Sequence, residues 1–86
     1  AWGLVSAVVP PAELLPRAAA IAADIARQPP GVLRMTKRLL RAAQTSDFGT
    51  VMELSAALQA AAHHTADHAE ALAAYFAKRP PHFTGR

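Results

Sequence analysis

The sequence predicts a mostly α-helical chain, with a short N-terminal strand followed by about four amphipathic helices. Three observations point there. Apolar residues recur at helical spacing in four separate blocks. Proline pairs at 10–11, 29–30 and 80–81, with polar clusters at 44–47 and 63–67, separate those blocks. Only the run Leu4-Val5-Ser6-Ala7-Val8-Val9 concentrates β-branched side chains over a length suited to a strand. Residues 1–10 therefore read as one unit, a helix end plus the short strand, and residues 11–86 as a helical region.

Gly3, directly after Ala1-Trp2, is the type of residue that ends a helix in the left-handed conformation, so the chain is expected to open on the last turn of a helix. Its first residue is alanine, which points to sequence ahead of it. The strand is expected to stop at Pro10-Pro11. A first helix follows over about Pro11–Arg27, with Leu14, Ala18, Ile21 and Ile25 on one stripe and Glu13, Arg17, Asp24 and Arg27 opposite. Pro11 suits the first helical position; Pro16 implies either a loose first turn or a regular helix that starts near it. Gln28-Pro29-Pro30 ends it, because a residue before proline avoids the α region.

A second helix is expected from Pro30 or Gly31 to Ala43, with Val32, Met35, Leu39 and Ala43 on one stripe, widened by Leu40. Arg34, Lys37, Arg38 and Arg41 make a basic stripe elsewhere on it. A third helix starts at Asp47 or Thr50, where Thr50 and Glu53 have capping-box spacing, and carries Val51, Leu54, Leu58 and Ala61 on its apolar face. A fourth, from about Ala66 to Lys78, is capped by Thr65 or Asp67 and carries Leu72, Tyr75 and Phe76. The tail His82-Phe83-Thr84-Gly85-Arg86 shows no periodicity.

Composition limits what these helices can do alone. The chain has 86 residues and 52% hydrophobic letters, yet 22 of those 45 residues are alanine. Alanine lets helices approach closely but contributes little burial, since each CH₂ is worth only about 0.8 kcal/mol. Four such helices are expected to lie against something larger, another domain or another subunit. There is no cysteine, which excludes disulfides, thiolate metal ligands and cysteine nucleophiles and fits a cytoplasmic location. No apolar run approaches the roughly 18–20 residues of a transmembrane helix, and no secretory leader is visible. A net charge of +3 permits phosphate contacts but falls short of a strongly basic nucleic-acid binder.

Three segments in order resemble the C-terminal third of the enoyl-CoA hydratase/isomerase (crotonase) family. They are Trp2-Gly3-Leu4-Val5-Ser6 with Val8-Val9-Pro10, Gln28-Pro29-Pro30 with Leu33-Arg34-Met35-Thr36-Lys37-Arg38-Leu39-Leu40, and Thr65-Ala66-Asp67-His68-Ala69-Glu70-Ala71 with Tyr75-Phe76-Ala77-Lys78-Arg79-Pro80-Pro81-His82-Phe83. The resemblance implies the helical trimerisation region of a crotonase fold. Its alanine-rich faces would lie on a preceding core and on identical subunits of a trimer or hexamer. It implies an acyl-CoA thioester as substrate, a place in fatty acid metabolism, and no cofactor bound tightly beyond the CoA moiety of that substrate. The backbone oxyanion hole and the proton-transferring glutamates of the family lie upstream of the equivalent of Trp2, so no catalytic residue is assigned. Carboxylates are present at Glu13, Asp24, Asp47, Glu53, Asp67 and Glu70, each with a simpler reading on a helix surface or at a cap.

In relatives the last helix reaches the CoA cleft, and its aromatic and basic positions there match Tyr75 and Lys78. Competing readings are interface packing for Tyr75 and Phe76 and a favourable helix dipole for Lys78-Arg79. His64 and His68 have the spacing of two zinc ligands on one helical face, but a third ligand is not evident and no metal site is assigned. The basic stripe raises a rival reading, a small helical nucleic-acid-binding module. It holds cations around an apolar seam and lacks the polar groups that read base edges, so a solvated face is preferred, with no nucleic acid and no membrane as partners. A pure assembly module without ligand contact is the third reading and differs from the first only at Tyr75 and Lys78.

Overall fold

A computed structural model describes residues 2–86. Four α-helices follow one another: α1 (Leu14–Ala26), α2 (Pro30–Ala43), α3 (Phe48–His63) and α4 (Ala66–Ala77), with a 3₁₀ turn at Pro11–Glu13 leading into α1. The expected helix end at Ala1 lies outside the described residues. Gly3 does adopt the left-handed backbone, at φ 74°.

The expected strand does not form: residues 4–9 are irregular, and no strand occurs among the described residues. β-propensity reflects how well side chains fit a pleated surface beside a neighbouring strand, and a lone strand has none of its ladder bonds. Here Leu4, Val5 and Val8 are 86%, 64% and 90% exposed with no strand beside them.

The helix boundaries follow from local chemistry. Pro16 sits at the third position of α1, where the N–H has no intrahelical partner, so proline removes no bond. Pro30 occupies the first position of α2 for the same reason. The start of α3 differs from the expected capping box. Asp47 is the N-cap, its Oδ1 accepting from the Thr50 backbone N–H at 2.8 Å and its Oδ2 from the Thr50 hydroxyl at 3.0 Å. The Thr50 N–H is the main cause that holds the Asp47 carboxyl below its ordinary 3.8. Thr65 serves two helices at once. Its hydroxyl donates to Ala62 O at the end of α3 (2.7 Å), and the same oxygen accepts from the His68 N–H in the first turn of α4 (3.1 Å).

Packing is concentrated in the α2–α3 hairpin, where Val32, Leu33, Met35 and Leu39 of α2 and Val51, Leu54 and Leu58 of α3 are half-buried. α1 is different. Every residue from Leu14 to Ala26 is exposed, including the stripe residues Leu14 (60%), Ile21 (39%) and Ile25 (54%). Among the described residues only Ala74 and Asp67 are buried, and no large side chain is. The radius of gyration is 16.3 Å and the extents are 43 × 39 × 19 Å. A compact chain of this length has a radius near 12 Å. The helices thus form an open, flat layer.

Candidate functional site

Tyr75 lies in the last turn of α4 and Lys78 directly follows the helix. Tyr75 is 77% exposed and its ring meets Phe76 edge-on, with centroids 5.5 Å apart. Lys78 is the residue at which α4 stops. Its backbone is left-handed, φ 54° and ψ 43°, and it is the one described residue other than glycine with positive φ. The stop is a Schellman-type closure, with the Arg79 N–H donating to Ala74 O at 3.1 Å and the Lys78 N–H to Tyr75 O at 3.2 Å. Lys78 forms no ion pair among the described residues.

Arg79 is engaged. Its guanidinium forks onto Glu70, Nη1 to Oε1 at 2.6 Å and Nη2 to Oε2 at 3.1 Å, and Glu70 Oε1 also accepts from the His82 N–H at 3.0 Å. The Arg79 fork is the main cause that pulls the Glu70 carboxyl from its ordinary 4.5 down to about 2, with the His82 N–H second. One turn nearer the helix start, the buried Asp67 carboxylate accepts from the Thr84 N–H (2.7 Å) and the Gly85 N–H (2.8 Å), and the Asp67 N–H donates to Arg86 O (2.8 Å). The tail therefore doubles back along α4 in the opposite direction. Pro80 and Pro81 open this return, where they have no N–H to satisfy. Gly85, at φ 83°, is the turn that needs no Cβ, and a Cβ there would lie 3.8 Å from the Pro30 ring, so the tail tip reaches the start of α2.

This arrangement was not legible in the tail's own sequence, which lacks periodicity. The available signal was Asp67 and Glu70 sharing a face at i, i+3, with Arg79 beyond the helix end. The pairing has a pH signature. A carboxyl whose folded pKa is depressed stabilises the fold above its ordinary value and loses that contribution as protons bind. Docking of residues 79–82 on α4 is therefore expected to be complete above about pH 4.5 and to weaken as pH falls towards about 2. Chemical shifts of the Arg79 and His82 amides followed through this range check it. A midpoint near the ordinary 4.5 would contradict the fork.

Other sequence-derived candidates separate. The structure stacks His63, rather than His64, on His68, with centroids 4.6 Å apart. No group of three His, Asp or Glu side chains with metal-holding geometry occurs among the described residues. Of the carboxylates, Asp24 pairs with Arg27, Asp47 caps α3, and Asp67 and Glu70 hold the tail. Glu13 and Glu53 are exposed. Arg34, Lys37, Arg38 and Arg41 are all exposed along α2. A groove of about 340 Å³ between α2 and α3, floored by Val32, Met35, Leu39 and Leu58, has His63 and His68 in its lining. No described helix is long and apolar enough to cross a membrane.

Comparison with known proteins gives one consistent result. The family model described as enoyl-CoA hydratase/isomerase matches residues 1–86. A Thermus thermophilus protein bearing the enoyl-CoA hydratase name is 39% identical over 83 residues, 96% of this chain and 33% of its own length. The 1,2-epoxyphenylacetyl-CoA isomerase of Escherichia coli is 34% identical over 85 residues, 99% of this chain and 32% of its own. The crystal structure of an enoyl-CoA hydratase/isomerase from Mycobacterium paratuberculosis superposes with a TM-score of 0.87 at 27% identity, covering 98% of this chain and 33% of that one. The chain spans about a third of the length of these relatives.

Proposed function

Because this chain belongs to the enoyl-CoA hydratase/isomerase family, we propose that it is the helical C-terminal region of a protein acting on acyl-CoA thioesters. In that reading it has two roles. The exposed apolar stripe of α1 and the exposed Phe76 ring lie against a preceding core domain and identical subunits. The end of α4 forms part of the CoA cleft, with Lys78 beside the nucleotide phosphates and Tyr75 beside it. CoA enters as part of the substrate and is not a resident cofactor. The chemistry on the acyl group belongs to groups outside this chain. An oxyanion hole needs preorganised donors aimed at the developing charge, and proton transfer needs a carboxylate free to reach the substrate. Asp24, Asp47, Asp67 and Glu70 are engaged in structural contacts, and Glu13 and Glu53 stand exposed on the surface.

The observation that carries the ligand role is the contrast between two adjacent cations. Arg79 is neutralised by Glu70, while Lys78 has no anionic partner among the described residues and projects from a fixed helix end. An ammonium of this kind is a solvated point charge suited to phosphate. In the longer protein, Lys78→Ala is expected to raise KM for an acyl-CoA a few-fold and leave kcat nearly unchanged. An exposed ion contact is worth about 0.5–1 kcal/mol, and the loss falls equally on ground and transition states. The effect is expected to shrink with added salt. KM for an acyl-pantetheine, which lacks the nucleotide phosphates, decides the matter. An equal rise for both esters would leave Lys78 as a helix-terminating residue and favour the pure assembly reading.

A further inference from the structure

We infer that Glu70 is a positioning residue for Lys78, acting through Arg79 to fix the point from which the Lys78 ammonium is presented. The inference rests on the CoA-cleft reading of Lys78 above and adds a residue to it. The left-handed basin is disfavoured for any residue with a Cβ, so a lysine stays there only when its neighbours hold it. Here the restraints come from both sides. Upstream, α4 runs unbroken into Tyr75 and Phe76. Downstream, the Arg79 N–H is tied to Ala74 O at 3.1 Å, and its guanidinium is tied to both oxygens of Glu70 at 2.6 and 3.1 Å.

Glu70 adds a third restraint. It takes the His82 N–H at 3.0 Å, so residues 79 and 82 are gripped by one carboxylate nine and twelve positions earlier in the chain. A two-pronged arginine–carboxylate pair fixes direction as well as distance. Lys78 lies between the end of α4 and this grip, so its Cα–Cβ direction is set before any ligand arrives. Less ordering is then left to be done on binding. The same carboxylate cancels the charge of Arg79 and leaves Lys78 as the free cation at this helix end.

The test compares Glu70→Gln, Lys78→Ala and the double variant in the longer acyl-CoA protein, reading KM and kcat for an acyl-CoA and for the matching acyl-pantetheine. Glu70→Gln keeps an acceptor for the His82 N–H and leaves the Asp67 contacts in place, so the tail stays docked. Glu70→Gln is expected to raise KM for the acyl-CoA about two- to fivefold, the range of an exposed ion contact. KM for the acyl-pantetheine and kcat are expected to stay unchanged, and Glu70→Gln is expected to add nothing once Lys78 is alanine. An equal rise on both esters, an additive effect in the double variant, or a KM lowered by the freed Arg79 would each overturn the inference. If Lys78→Ala alone fails to separate the two esters, the ligand reading itself is lost. If Lys78→Ala separates them and Glu70→Gln does not, only the role given to Glu70 falls.

Discussion

The 86-residue chain on its own is expected to give a weakly helical circular dichroism spectrum and a broad thermal melt without a cooperative transition. Cooperativity in a small domain comes from a shared apolar core, and this chain buries no large side chain among its described residues. The four helices are 12 to 16 residues long, near the length at which an isolated helix is marginal in water. The half-buried α2–α3 seam is where two helices reinforce each other most, and a two-helix seam has little area against the backbone entropy of ordering. Urea titration is expected to show a shallow slope, since that slope scales with the surface exposed on unfolding. A sharp transition with a midpoint independent of protein concentration would show that the helices form a domain by themselves. A sharp transition that strengthens with concentration would show that copies of the chain supply the missing surface.

Removing the buried carboxylate of α4 is expected to release the tail. Asp67→Ala deletes the acceptor for the Thr84 and Gly85 N–H groups and for the Thr84 hydroxyl (2.7, 2.8 and 3.3 Å). Hydrogen bonds to a charged acceptor contribute about 1.5–3 kcal/mol each. The freed amides can turn to water when the tail swings out, so the net loss is limited to the docking energy, roughly 2–3 kcal/mol. In the longer protein proposed above, this would appear as amide exchange at Thr84 and Gly85 faster by one to two orders of magnitude, with α2 amides such as Leu39 unchanged. Asp67→Asn keeps one carbonyl acceptor and is expected to lose less. Unchanged exchange at 84–85 in Asp67→Ala would mean that Pro30 and the Glu70 grip alone hold the tail.

What could be read in the sequence divides along a physical line. Helix boundaries depend on residues close in sequence, so Pro30 and Thr65 mark the starts of α2 and α4, while the expected start of the first helix at Pro11 is a 3₁₀ turn that passes into α1 at Leu14. The strand misled because a β-branched run states only a preference, and the partner that would satisfy it is not among the described residues. The start of α3 stayed open between Asp47 and Thr50, since both carry capping oxygens three positions apart and spacing alone does not rank them; Asp47 is the cap. The Asp67 and Glu70 contacts depend on residues up to eighteen positions away, at the far end of a segment without periodicity. Nothing local to either carboxylate distinguishes a tail clamp from a solvated helix face. The fourth helix is expected to run to about Lys78, whereas it ends at Ala77, and the left-handed backbone of Lys78 could not be read from a residue type that rarely adopts it.

That backbone sets two selective pressures against each other at a single position. A lysine in the left-handed basin costs roughly 1–2 kcal/mol that glycine would not. Evolution in the laboratory for heat resistance alone would reward Lys78→Gly, which relieves the strain and keeps the helix stop. Evolution for use of a phosphate-bearing ligand would reward the opposite choice, because the unpaired ammonium at this helix end would vanish with the strain.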